Sequence, residues 1–339
     1  EIYTLSLHDA LPIYELGTLP DGLSTSHRGG PEMPLWGILL CLLTAISWAI
    51  SPILIKSGMQ KAGPNEVNPI RSIGFLGTMS AVMLITQPGQ WPSITPALAL
   101  GLFLNIGLST VLGDQLYIHA IKKIGASLSV SISSGYPLVT TLLSIWILGE
   151  SVTKLVWAGT LMIILGILII RYDAGKRQNH DSDVRKSLCS TEIVKGIALA
   201  MSASVLWGAN IPFIKKLMLE GAWSPVEFYF LRSVAFTIIV WTVRIVQQRF
   251  FPRLVMPLGK VQMTAWIAFI AAGSLALAWG GVLFGVCVEA LPVSIVTPIT
   301  ASSPFITVLM ARLIHKERLS RSQQAGVTLV ILGSIAVNL

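Results

Sequence analysis

From Ser72 to Gly113 the chain carries no Asp, Glu, Lys or Arg. No other feature limits the fold as strongly. A bilayer core of about 30 Å is crossed by roughly 20 apolar residues in a helix. Lipid offers the backbone no hydrogen bonds, so a spanning segment is either an α-helix or part of a closed barrel. Barrel strands alternate apolar and polar residues, and these runs do not alternate, which excludes the barrel. Composition agrees: charged residues make up 12% of the chain, against about 25% in soluble domains. A net charge of +8 would point to nucleic acid in a soluble protein. Here the basic residues sit in short loops between apolar runs, where charge sets membrane topology, so no nucleic-acid partner is expected.

Read in order, the hydropathy predicts helices over 34–55, 67–86, 96–120, 124–149 and 155–170. A polar, aperiodic stretch follows, "RYDAGKRQNHDSDVRKSLCSTEIVK" (171–195), and then helices over 196–216, 225–246, 261–288, 291–313 and 323–338. "QPGQWPS" at 87–93 divides the long uncharged run. The first residues, "EIYTLSLHDALPI" (1–13), lack the basic start and apolar core of a signal peptide. Read back into codons, they resemble an adapter oligonucleotide used in short-read sequencing, and are expected to be foreign to the protein. Residues 14–33 are Gly/Pro/Ser-rich and are expected to be disordered. The expected divisions are a non-native segment 1–33, a first unit 34–171, a linker 172–192 and a second unit 193–339.

The two units repeat one another. "PLVTTLLSIWILGESVTKLVWAGTLMIILG" (137–166) aligns without a gap on "PFITVLMARLIHKERLSRSQQAGVTLVILG" (304–333). Pro137, Glu150, Gly159 and Gly166 fall on Pro304, Glu317, Gly326 and Gly333. "PNEVNPIRS" (64–72) faces "PVEFYFLRS" (225–233), and "WAISPILIK" (48–56) faces "WGANIPFIKK" (207–216) with a one-residue slip. Duplication over an odd number of spans sets the copies in opposite orientations, as in inverted-repeat transporters. The expected fold is therefore an all-α polytopic membrane protein, ten transmembrane helices arranged as two inverted five-helix repeats.

Over residues 35–339 these motifs resemble the drug/metabolite transporter superfamily, in its EamA-type branch. The resemblance implies a secondary transporter with its substrate cavity between the halves and both termini in the cytosol. It leaves the substrate open. The charges disagree about the termini: most loop Lys and Arg residues fall on the side opposite to them, which by the positive-inside rule puts the termini outside.

Several residues invite a functional reading. Pro52 and Pro212 lie inside the first and sixth helices, where a missing N–H is expected to break them, and paired helix breaks mark transporter sites. Trp48, Ser51, Trp207 and Asn210 lie beside these prolines. With Asn105, Tyr136, Trp279 and Ser302 they are the expected cavity residues. Asp114 and Glu289, each late in a third-type helix, either titrate within the membrane and couple proton movement to transport, or are interfacial. His119, one turn beyond Asp114, is expected at the interface. Arg71 and Arg232 are functional candidates by the cost of burying a charge. Each lies within two turns of a helix start, so snorkelling or structural pairing is the preferred reading. Pro64 with Glu66, and Ser224 with Pro225 and Glu227, read as helix starts. Glu150 and Glu317 read as caps of the fifth and tenth helices, and the four repeated glycines read as packing surface.

Cys41, Cys189 and Cys287 are scattered and show no disulfide or metal spacing. The dispersed histidines form no HExxH motif, and neither a G-x-S-x-G elbow nor a P-loop occurs. No metal, cofactor or catalytic residue is expected. The chain reads as an integral protein of the cell membrane. Its expected function is secondary active export of small organic metabolites or drugs by alternating access, with protons or a counter-solute as coupling partners. A lipid flippase and an enzyme acting on a lipid-linked substrate are the alternatives. Oligomeric state is open.

Overall fold

The computed structural model describes residues 35–59, 61–89, 91–133, 135–178, 191–303, 306 and 321–337. The adapter-like stretch, residues 14–33, most of the linker, Pro304 and Glu317 lie outside the described residues. Those described are helical apart from short connections and turns, with no strand among them. Helix α1 is Leu35–Met59 and α2 is Pro64–Thr86. Helix α3 starts as Pro96–Ile106, passes through a π-helical stretch Gly107–Gly113 and continues as Asp114–Ser133. Then come α4 (Tyr136–Leu148), α5 (Lys154–Gln178), α6 (Thr191–Gly221) and α7 (Pro225–Phe250). Helix α8 repeats the pattern of α3, with Met263–Ala272, a π-helical stretch Gly273–Trp279 and Gly280–Ala290. Helices α9 (Val293–Thr300) and α10 (Arg321–Val337) complete the described chain. Six helices are long and apolar enough to cross a membrane, and Tyr136–Leu148 and Lys154–Gly166 are shorter apolar helices. Large apolar side chains face outward, Trp146 at 89% and Ile85 at 78% exposure. Such a surface suits lipid and not water.

The starts of these helices follow local chemistry. Ser224 and Glu227 form the expected capping box: the Ser224 hydroxyl accepts from the Glu227 N–H at 3.3 Å, and the Glu227 carboxylate accepts from the Ser224 N–H at 2.8 Å. Thr95 caps α3 in the same way, accepting from the Leu98 N–H at 3.3 Å with Pro96 behind it. Gly149 ends α4 in the left-handed region at φ 67°, a conformation glycine adopts without strain.

Proline acts differently from the sequence-based expectation. Helices α1 and α6 continue through Pro52 and Pro212. The carbonyl that Pro212 leaves without a partner is that of Gly208, four residues back. The Thr140 hydroxyl donates to it at 3.0 Å, the kind of rescue by a neighbouring helix that lets proline stay in a membrane helix. The breaks lie elsewhere. Helix α3 runs past Lys122 and Lys123, where a loop is expected, and stops at Ser133, four residues before Pro137. Helix α9 stops at Thr300, four residues before Pro304 in the sequence. In both cases the last helical carbonyl belongs to the residue whose bond a proline removes. Ser204 supplies a donor to Ser133 O at 3.1 Å. Helix α5 continues past 172 to Gln178, into the stretch expected as linker. A helix leaving the apolar layer does not need apolar residues to persist.

The repeats meet through reciprocal contacts. Phe75 on α2 and Phe236 on α7, at matching positions, have ring centroids 6.1 Å apart. Helices α5 and α10 cross on the repeated glycines. A Cβ on Gly166 would lie 2.6 Å from Gly326 O, and one on Gly333 would lie 2.7 Å from Gly159 O. Each contact is the image of the other under exchange of the repeats, as a pseudo-two-fold requires. The glycines are thus the packing surface expected from their spacing. Lipid gives helices no hydrophobic reason to associate, so this close backbone approach supplies the attraction.

Candidate functional site

The π-helical stretches of α3 and α8 lie at matching places in the repeats, and polar side chains gather at both. π-Turns inside α-helices recur at functional sites. At α8 the stretch is held by α1: the Trp48 indole N–H donates to Ala276 O at 3.2 Å and the Ser47 hydroxyl to Leu275 O at 2.5 Å. Trp48 also packs on Phe284, centroids 5.1 Å apart. Its counterpart Trp207, on α6, packs on Tyr117 of α3 at the same 5.1 Å.

Along α3 three polar residues engage two buried arginines. Arg71 and Arg232 are each 6% exposed, so neither snorkels. The Arg71 guanidinium donates to Asn68 Oδ1 at 3.0 Å and pairs with the Asp114 carboxylate at 3.2 Å. Arg71 is thus paired inside the bundle. Arg232 donates to Asn105 Oδ1 and, at 3.2 Å, to Thr110 Oγ1. Its guanidinium lies 5.6 Å and 5.7 Å from the ring centroids of Phe228 and Tyr229, within cation–π range. Asn105 in turn donates to Asn210 O at 3.4 Å. One helix thus joins Arg71, Arg232, Trp207 and Asn210.

The other candidates divide. Ser51 is buried on α1 and Tyr136 is half-buried at the start of α4. The Ser302 hydroxyl donates to its own segment, to Ile299 O at 2.6 Å. Trp279 is 51% exposed, on the same stripe as Ile267 and Leu275, and no hydrogen bond or ring contact among the described residues joins it to the cluster. Aligning the π-helical stretches puts Asp114 opposite Gly280, not opposite Glu289, which is exposed in the last turn of α8. His119 is exposed, with its ring against Gln115 O at 2.7 Å.

Two carboxylates read as simple helix-start residues have longer reach. Glu150 does not cap α5. It caps α9 in the other repeat, accepting from Val293 N at 2.8 Å and from Ser294 N and Oγ at 3.1 Å and 2.7 Å, with Lys215 at 3.9 Å. Glu66 is buried against Arg244 at 3.5 Å and also accepts from the Met256 N–H at 2.7 Å. A cavity of about 210 Å³ lies by Arg244, Trp241 and Pro257, outside the cluster on α3. Sequence reasoning passed over Asn68, Thr110 and Arg244. Arg244 alone left a trace, as a charge within an apolar run.

A duplicated helical bundle, embedded in lipid and carrying a buried ionic cluster where its halves meet, defines an integral membrane protein of the transporter class. The chain belongs to the EamA-like transporter family, which matches residues 35–172 and again 194–339. It is similar to an Escherichia coli (strain K12) protein named as an amino-acid metabolite efflux pump, 21% identical over 87% of this chain and 92% of that protein. It is also similar to a Bacillus anthracis protein named for sugar uptake, 24% identical over 74% of this chain and 98% of that protein. A solved crystal structure superposes with a TM-score of 0.71 at 15% identity, over 90% of this chain and 98% of that one; this likeness concerns the fold alone. The protein is an integral membrane transporter of the cell membrane.

Proposed function

We propose that the protein is a secondary active exporter of small organic solutes, working by alternating access of its two repeats around the cluster on α3. The observation behind this reading is the Arg71–Asp114 pair, buried where the halves meet and continued through Asn105 to Arg232. A charge held within a membrane helix costs about 2.5–3.5 kcal/mol on insertion scales and is kept for substrate or ion passage by default. Trp48, Ser51, Asn105, Tyr136, Trp207 and Asn210 line the path of the solute, with Asp114 as the group through which a proton or counter-solute couples. Trp279 and Ser302 have no hydrogen bond to this centre among the described residues, and Glu289 is no partner of Asp114 in this scheme. The two named relatives differ both in substrate and in direction, so neither name decides the substrate; the export direction follows the efflux relative alone.

The test is solute flux in proteoliposomes with and without a pH gradient. Saturable flux that falls at least tenfold in Trp207→Ala is the expected result. Absence of flux for every solute tried, in both conditions, overturns the reading, and lipid headgroup translocation in its place would identify a flippase.

A further inference from the structure

We infer that Arg232 is an anion subsite for a small monocarboxylate that carries an O–H or N–H donor beside its carboxylate. The inference rests on the transporter reading and adds the substrate class.

The asymmetry of the duplication leads to it. Arg71 and Arg232 occupy matching positions on α2 and α7. In the first repeat the charge is answered from α3 by Asp114 at 3.2 Å. In the second, the place of that acid on α8 is Gly280, where a Cβ would already lie 2.9 Å from Ser47 Oγ and 3.0 Å from Trp48. No carboxylate pairs with Arg232 among the described residues. Its neighbours Asn105 and Thr110 are neutral and orient the guanidinium without discharging it. The Phe228 and Tyr229 rings carry no charge; a buried cation without a counter-charge is strongly unfavourable, and a bound anion removes that penalty.

The geometry narrows the anion. Guanidinium presents five N–H donors in a planar fork that matches a carboxylate in bidentate fashion. Two of those N–H groups are engaged, and Nε is buried without a partner. Arg71, Asp114 and Arg232 together carry one net positive charge. A monocarboxylate brings the cluster to neutrality, whereas a phosphomonoester, at about −1.5 to −2, overshoots it in a medium that screens poorly. Arg71 Nε and Asn68 Nδ2 are unanswered as well, but the unanswered atom linked to Arg232 through Asn105 is an acceptor. Asn210 Oδ1 is buried without a partner, and Asn105 touches both Asn210 and Arg232. A donor next to the carboxylate answers it.

Thermal unfolding of the full chain in detergent tests this with propionate, propionamide, lactate, alanine and inorganic phosphate as probes. Expected are stabilisation by propionate but not propionamide, a larger shift with lactate and alanine, and a smaller one with phosphate. Arg232→Lys keeps the charge and loses the fork, and should weaken lactate binding by about tenfold or more. Asn210→Ala should erase the preference for lactate over propionate. These two variants serve even where Arg232→Gln fails to fold. No shift from any carboxylate, equal shifts from propionate and propionamide, a phosphate shift matching lactate's, or unchanged lactate binding in Arg232→Lys each overturns the proposal. Flux of neutral solutes in liposomes that survives Arg232→Lys would sink this assignment and leave the transporter reading standing.

Discussion

Arg71 and Arg232 stand at matching positions of the two repeats, and of the two only Arg71 is answered by an acid among the described residues. Removing that acid should be informative. Asp114→Asn leaves Arg71 buried beside a neutral amide, and breaking a buried pair from one side costs about 3 kcal/mol. Thermal unfolding in detergent should show the loss. Asp114→Asn combined with Arg71→Gln should be less destabilised than the two single changes summed, with a coupling of about 1 kcal/mol or more. Additive effects would mean that the 3.2 Å contact contributes nothing as a pair. The sequence marked both arginines and Asp114 as charges in apolar surroundings. It gave no reason to join Arg71 to Asp114 and leave Arg232 without an acid.

Among the helices, proline and glycine divide the work in a way set by their neighbours. Pro212 is tolerated because Thr140 donates to the carbonyl it frees. Thr140→Val should therefore destabilise the protein by about 1 kcal/mol. In a Pro212→Ala background, where residue 212 regains its N–H, the same change should have little effect. Equal losses in the two backgrounds would show that the hydroxyl matters for some other contact. The glycines of α5 and α10 are tested by bulk. Gly166→Leu places a side chain against Gly326 O and Val330 and should lower stability by about 2 kcal/mol. Gly77→Leu, where nothing lies within 4 Å, should leave the melting temperature near that of the unaltered protein.

At the scale of the whole molecule the repeats are tied by contacts that cross between them. Glu150, in the connection between α4 and α5, holds the start of α9 through two backbone N–H groups and the Ser294 hydroxyl. A carboxylate at a helix start is favoured by the dipole and by the unpaired N–H groups there. Glu150→Gln keeps the shape but loses the charge and one acceptor oxygen. It should destabilise the protein by about 1–2 kcal/mol, read by unfolding in detergent. It should also speed hydrogen exchange at Val293 and Ser294. Unchanged exchange at those two amides would show that the α9 start is held by other means.

The sequence by itself determined the solvent, the helical fold and the duplication. Those properties are written in runs of adjacent residues and in fixed spacings, and the bilayer admits few structures for such runs. It also fixed the capping box at Ser224 and the glycine seam, whose partners lie nearby or follow from the repeat. Only the tertiary structure decided which arginine is answered, why Pro212 does not end its helix, and that Glu150 serves the opposite repeat. In each case the outcome depends on whether a distant helix brings a donor or a charge within about 3 Å of a buried group, and nothing local in the chain records that distance.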